Sequence, residues 1–373
     1  MKPLSDSAAT NAGIRAKASV SNFTRRVSEG RKLDDLWKQF ASDASAGYRF
    51  YGRDVGWEEI QNVRGWRRPF RIMNQLFWAV FSKMSPARRV VLLLAFALAL
   101  LGAASILPIV LLVLLFMELA DKVTMKRDLE IAREIQSWLV PTHPPEVAGA
   151  EIAFATKPQN SVAGDYYDAF YPDAADPLGA GGSKLMIVIA DVAGKSIPAA
   201  LLMATLQASL RTIAGDGAPL ADLVARLNRY ASAHSQNGQR FTTAVLCEYD
   251  PQTRVLTYVN AGHNAPILRR VDGQLEKLEV GGLPLGIHSP VIYDTASLQL
   301  QSGDALIFYT DGVIEAFNKD LQEFGNERWC ATIRALPTVN AQESLQFLMK
   351  PVDEFVGATR QSDDITYLVF RCK

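Results

Sequence analysis

The sequence predicts an α+β fold from about residue 146 onward, in which helices pack over one or two mainly antiparallel sheets behind a membrane segment and a helical linker. Three observations predict it. From Glu151 to Lys373, short apolar β-branched runs alternate with Ala/Leu-rich stretches. Neighbouring runs are joined by tight turns, Pro251-Gln252-Thr253 and Asp272-Gly273, as in hairpins. Val90 to Met117 carries no charged residue, and about 20 apolar residues span a bilayer.

At 373 residues, and roughly 150 residues per domain, the chain has room for two or three units. Lys plus Arg and Asp plus Glu stand at 39 each, so no net charge points to nucleic acid as a partner. Cys247, Cys330 and Cys372 show no CxxC spacing and the histidines no HExxH. That argues against a disulfide framework or a zinc site and for a reducing compartment.

Residues 1–89 read as an N-terminal tail followed by a small helical or interfacial region. Met1 to Asn22 is Ser/Ala-rich, without the apolar core of a signal peptide. Arg31 to Val63 mixes aromatic and charged residues. Ile72 to Phe81 is apolar behind Arg64, Arg67, Arg68 and Arg71, a pattern that suits either a helix on anionic lipid or the core helix of a small domain. Residues 90–117 form the membrane segment. Lys83, Arg88 and Arg89 before it favour a cytoplasmic N-terminal flank. A single pass would then place everything after Met117 outside the cytosol. A re-entrant hairpin bent near Gly102-Ala103-Ala104-Ser105 or Pro108 would keep both ends inside, with arms of about a dozen residues that are too short to cross. The sequence leaves these open, and the intracellular chemistry below favours a cytoplasmic C-terminal part. Residues 118–141 form an amphipathic linker helix: Met125, Leu129, Ala132, Ile135 and Leu139 recur at spacings of three and four until Pro141. Such a rod pairs with a second copy, or is a solvated helix.

In the C-terminal region the expected strands are 151–157, 165–171, 184–190, 242–250, 255–260, 265–271, 274–280, 293–300, 305–310 and 365–371. The expected helices are 199–213, 219–233, 327–335 and 340–356. The stretch from Lys184 to Arg211 organises the rest. Leu185 to Ala190 reads as a strand buried on both faces, and Asp191 follows directly. A turn holding Gly194 then leads to Pro198 and a helix-forming run. A carboxylate at such a corner costs several kcal/mol unless it is paired or bound to a metal.

Further acids stand against apolar strands: Asp165 and Asp168 in SVAGDYYDAF, Asp311 after ALIFYT with Glu315 one turn on, and Asp363 and Asp364 before ITYLVF. Each alone is ordinary turn chemistry. Several carboxylates together, without imidazole or thiolate, suit hard divalent cations, and two such ions activate water and clamp a phosphoryl oxygen. Other chemistries fail. Gly194-Lys195-Ser196 lacks the glycine a P-loop needs at Ile189. The residues six beyond Cys247 and Cys330 are Thr253 and Leu336, not the arginine of a cysteine phosphatase, and no GxSxG elbow occurs.

SVAGDYYDAF, ADVAGKSIPAALLMA, VNAGHNAPIL, GGLPLGI, IFYTDGVIEAFN with Phe324-Gly325, and SDDITYLVFR occur in this order. Together they resemble the SpoIIE-type bacterial serine/threonine phosphatases of the metal-dependent PPM superfamily, from about Leu129 to the C-terminus. LEIAREIQSWLVP resembles that family's regulatory linker. The resemblance implies an α-β-β-α sandwich over residues 146–373, with two Mn²⁺ or Mg²⁺ ions in the cleft between the sheets. It implies Asp191 as the bridging ligand with the Val192 carbonyl, Asp165 on the second metal, and Asp311 and Asp363 completing the other coordination sphere. Asp168 and Asp364 would orient waters, Asp364 being also a candidate ligand. His263 is a candidate acid near the leaving oxygen, or a turn histidine held by its neighbours. Gly262, Gly282 and Gly312 would serve sharp turns near the metals. Two departures stand out: Ala163 replaces one of two glycines before the first acid, and DVAGKS replaces DVSGKG, which puts Ala193 and Ser196 beside the metal loop.

The expected function is a bacterial, inner-membrane-anchored protein phosphatase with its catalytic domain in the cytoplasm. By the resemblance, metal-bound hydroxide would hydrolyse a phosphoserine or phosphothreonine on a regulatory protein such as an anti-sigma factor antagonist. The expected partners are that phosphoprotein, membrane lipid and a second copy through the linker. A catalytically weak phosphoprotein-binding scaffold is the alternative, and a nucleotide cyclase a third reading without a purine-pocket motif.

Overall fold

A computed structural model describes residues 74, 75, 78, 81, 86–100, 107–172, 183–194, 196–235 and 238–373. The expectations placed on residues 1–22, 31–63 and 102–105, and most of 72–81, lie outside them. The chain divides into two units between Asp121 and Lys122.

In the first unit the uncharged stretch is shared between two helices, α1 (Pro86–Leu100) and α2 (Leu107–Leu139). Helix α2 runs on without a break through the amphipathic linker and stops before Pro141, which has no N–H for a helix to use. Among the described residues, only Ile197–Ala214 is both long and apolar enough for a span by length and composition. That helix packs Ala199, Met203, Leu210 and Ala214 into the second unit's core.

The second unit has four layers. One sheet runs β1-β11-β10-β6-β7, from β1 (Ala150–Lys157), β11 (Ile365–Cys372), β10 (Ala305–Tyr309), β6 (Ile267–Arg269) and β7 (Leu275–Lys277). The other runs β2-β3-β4-β5-β8, from β2 (Tyr166–Phe170), β3 (Leu185–Val192), β4 (Thr242–Asp250), β5 (Val255–Ala261) and β8 (Gly281–Gly282), with β9 (Ala296–Gln299) also on β5. All pairings are antiparallel except β5 with β8. Leu185, Ile187, Val245, Phe308, Leu368 and Phe370 lie in the core between the sheets. Helices α3 (Ile197–Ala214) and α4 (Leu220–Ala233) cover the outer face of the second sheet. Helices α6 (Gly325–Arg334) and α7 (Ala341–Val356) cover that of the first, with Trp329 buried among Tyr309 and Tyr367. A short α5 (Asp311–Ile314) follows β10. This is the α-β-β-α sandwich the motifs imply.

Most expected strands and helices form within a few residues of their expected bounds. Strands β6 and β7 are shorter, because Arg270 and Gly273 spend their N–H groups closing the turn between them. The parallel two-residue β8 has no counterpart in the sequence reading. Val140, just beyond α2, packs against both the inter-sheet core and the α3/α4 layer.

Candidate active site

Strand alternation determines which acids meet. Leu185, Ile187 and Ile189 of β3 enter the core between the sheets, so Asp191, next in that series, faces the same side. Tyr167 and Ala169 of β2 do likewise, which puts Asp165 on the inner side just before the strand. From the other sheet, Leu306 and Phe308 of β10 and Leu368 and Phe370 of β11 point inward. Thr310, Thr366 and Asp364 continue those series. Both sheets therefore deliver polar groups to one end of their shared core.

The contacts agree. Asp165, 3% exposed, accepts hydrogen bonds at Oδ2 from Thr310 Oγ1 (3.0 Å) and Thr366 Oγ1 (2.5 Å). Asp364 accepts at Oδ1 from the Gln159 N–H (2.6 Å) and at Oδ2 from the Gly164 N–H (2.7 Å), pinning the loop that ends in Asp165. Its own N–H donates to Asp363 Oδ1 at 2.9 Å. A Cβ added at Gly164 would lie 3.3 Å from the Val192 carbonyl oxygen and 3.7 Å from Asp191 Oδ1. At Gly312 it would collide with the Asp364 carbonyl, so only glycine lets the start of α5 reach the Asp363-Asp364 turn.

The electrostatics follow from this crowding of carboxylates. Burial, then the Asp191 and Asp364 charges, raise the Asp165 carboxyl well above its ordinary range against the pull of its two threonine donors. Burial, then Asp311, Asp363 and Asp364, push Asp191 up to about 7, partly offset by a hydrogen bond from Asp165. None of the leading influences on either acid is a cation. Among the described residues no group of three or more His, Cys, Asp or Glu side chains is arranged to hold a metal ion as it stands. The donor set nevertheless fits hard divalent cations: oxygen ligands only, mutually repelling, and at one end of the inter-sheet core.

Asp168 has a different role. It lies with Tyr166 and Phe170 on the outer face of β2, fully buried, and Arg211 of α3 donates to both its oxygens at 2.9 Å. Tyr166 Oη donates to Oδ2 at 2.6 Å, and the Arg211 guanidinium lies over the Phe170 ring, 4.3 Å from its centroid. Asp168 is thus neutralised away from the acid cluster. His263 is buried in the turn after β5, where its N–H donates to Asn260 Oδ1 (2.8 Å) and its carbonyl accepts from Asn260 Nδ2 (3.0 Å). Its Nδ1 pairs with Thr243 Oγ1 at 2.8 Å, and that hydroxyl lies 3.4 Å from the Asp191 carbonyl oxygen. Burial lowers its pKa to about 4.

Sequence reading missed Thr310, Thr366 and Thr243, the hydroxyls that hold Asp165 and join Asp191 to His263. It also missed Gln136 on α2, which is bonded to the Ala163 backbone. The available signal for Thr310 and Thr366 was a threonine in step with inward-facing Leu and Phe.

The model of the stage II sporulation protein E (SpoIIE) family matches residues 181–373, just over half of the chain. Protein IcfG of Synechocystis sp. is 27% identical over 281 residues, covering 68% of this chain and 43% of its own length. The phosphoserine phosphatase RsbU of Bacillus subtilis is 28% identical over 256 residues, covering 66% of this chain and 71% of RsbU. The chain thus spans less than half of IcfG and somewhat over two thirds of RsbU. Among solved structures, the SiaA-PP2C domain of Pseudomonas aeruginosa is similar at a TM-score of 0.57 and 22% identity, over 68% of this chain and 99% of that one, a likeness of fold.

Proposed function

The chain belongs to the SpoIIE family, and from that membership we propose that it is a membrane-anchored protein serine/threonine phosphatase acting on a phosphoserine or phosphothreonine of a regulatory protein. The observation that carries this reading is the meeting of Asp165, Asp191, Asp311, Asp363 and Asp364 at one end of the inter-sheet core with no cation among the leading influences on Asp165 or Asp191. The name of RsbU, a phosphoserine phosphatase, supports the substrate class, and the resemblance of the ordered motifs suggests an anti-sigma factor antagonist as the kind of protein acted on.

Asp191 with the Val192 carbonyl, Asp165, Asp311 and Asp363 are the residues that would hold two ions, Mn²⁺ or Mg²⁺. Such a pair supplies a nucleophilic water at neutral pH and neutralises the phosphoryl oxygens. Thr310 and Thr366 fix the Asp165 carboxylate, and Asp364 holds the loop before it. His263, through Thr243, steadies the backbone of Asp191, in addition to the acid role its place in the motif suggests.

The uncharged faces of α1 and α2 support anchoring in lipid of the bacterial inner membrane, with the phosphatase domain in the cytoplasm. Along the linker, Met125, Ile131, Ile135 and Trp138 are exposed, which supports a second copy pairing there. We propose that this homodimer gates the metal site. The test is Mn²⁺- or Mg²⁺-dependent release of phosphate from a phosphoserine peptide by the full chain. Asp191→Ala abolishes it; unchanged turnover in that variant would remove the site assigned here, and capture of the phosphoprotein without turnover by the native chain would make it a scaffold.

A further inference from the structure

Arg88, near the start of α1, reaches the far end of the uncharged stretch. Its Nη2 donates to the Met117 carbonyl at 3.1 Å and to Asp121, and its Nη1 lies 3.2 Å from Glu118 Oε2. These partners are 29 to 33 residues away in sequence, so the first unit brings the beginning of α1 beside residues 117–121 of α2. The burial pattern continues the contact. On α1 the less exposed positions are Arg88, Arg89, Val91, Leu92 and Ala95; Arg89 is held against Phe81, and the other four lie on one helical face. On α2 they are Val110, Leu114 and Met117, again one face and of equal length. Around these two stripes Val90, Leu94, Phe96, Ile109, Leu112 and Phe116 are each more than half exposed.

We propose that Pro86 to Asp121 form a re-entrant hairpin that enters the bilayer from one side and returns to it, closed at the lipid–water boundary by Arg88 with Glu118 and Asp121. This rests on the membrane-anchoring reading above and decides its topology. Val90–Leu100 and Leu107–Met117 each rise about 16 Å at 1.5 Å per residue, against a hydrocarbon core of ~30 Å. Each arm reaches about the midplane. The charges stand together at one end, where the hydrocarbon gives way to water, and the exposed rings and aliphatic chains of α1 after Arg89 and of α2 before Glu118 that are described carry no group that needs water. An antiparallel pair joined at Arg88 puts its two ends, Pro86 and Asp121, on the same side of the membrane. The basic flank that ends in Arg89 favours the cytoplasm, so the C-terminal part shares that compartment without crossing the membrane.

The experiment uses the full chain with Ala87→Cys or Lys122→Cys, both at exposed positions. A membrane-impermeant maleimide mass tag is applied to right-side-out and to inverted membrane vesicles washed with carbonate, and the native chain sets the background of its own three cysteines. The expected result is one added tag for each variant in inverted vesicles and none in right-side-out ones. Tags added from opposite sides overturn the hairpin while leaving the anchor standing. A chain that the carbonate wash releases, whether as a monomer or as pairs of copies covering these faces, overturns the anchor and the hairpin with it.

Discussion

Gln136 and Ala163 hold each other by two hydrogen bonds: the Gln136 amide donates to the Ala163 carbonyl at 2.7 Å, and the Ala163 N–H donates to Gln136 Oε1 at 3.0 Å. A side chain of the linker helix thus pairs, as a second backbone would, with the loop whose next residues are Gly164 and Asp165. Gly164 in turn donates to Asp364. A displacement of the linker at Gln136 has to be taken up where two candidate ligands are tied together.

Gln136→Ala removes both bonds, each worth about 1 kcal/mol. If the loop's position sets metal affinity, the Mn²⁺ concentration for half-maximal phosphate release rises about tenfold, with little change at saturation. A Mn²⁺ titration of the variant against the native chain checks this. A thermal melt in chelator shows whether stability alone has moved.

The acids of β2 and β3 separate into two kinds, and substitution tells them apart. Asp191→Asn removes a ligand candidate and relieves repulsion, so metal-dependent activity is lost while stability without metal holds or rises. Asp168→Asn leaves the acid cluster intact but takes a full charge from Arg211. The expected cost is about 2 kcal/mol of stability, below the ~3–5 kcal/mol of a fully buried pair because the Arg211 side chain is 43% exposed. Urea unfolding with and without Mn²⁺ measures both, and equal loss of metal response in the two variants would contradict the division.

That division marks how far the sequence could be read. Asp165, Asp191, Asp311 and Asp363 could be singled out as candidates because each ends or precedes an apolar strand where an unpaired carboxylate is costly. The face of each strand was legible too, since parity needs only neighbours in sequence. The stacking of one sheet on the other was not, because nothing local relates Leu368 to Ile187; only the ordered motifs implied it. Thr310 and Thr366 look like ordinary strand residues until the two sheets close over Asp165. Gly281-Gly282 is too short to show a period, so β8 was missed. The arrangement of α1 beside α2 depends on Arg88 and Asp121, which read as separate flanks of one apolar run.

His263 gives a prediction with a definite sign. Burial lowers its pKa from 6.5 to about 4, so between those values the unfolded chain binds a proton that the folded chain does not. Stability therefore falls as pH drops from about 6.5 toward 4 and is unaffected by this group above that window. His263→Gln removes up to about 3 kcal/mol of that acid sensitivity, measured as urea midpoints across the range. The pH–rate profile separates the two roles. A steadying role through Thr243 leaves the profile between pH 5 and 8 unchanged in His263→Gln, whereas loss of one limb would identify His263 as the acid at the leaving oxygen.

Ser196 stands at the N-terminus of α3 with φ 65° and ψ −147°, a region that glycine occupies freely and a residue with Cβ enters at a cost. Its side chain makes no capping hydrogen bond in return. In DVAGKS this is the position where the related motif carries glycine, so the strain falls five residues beyond Asp191, in the loop that follows it. Ser196→Gly raises stability by about 1 kcal/mol, at the low end for a non-glycine residue so held. Ser196→Ala keeps the Cβ and the strain and leaves the urea midpoint near the native value. The pair separates backbone strain from the loss of a hydroxyl: if both variants shift alike, the hydroxyl accounts for the change and the loop is unstrained.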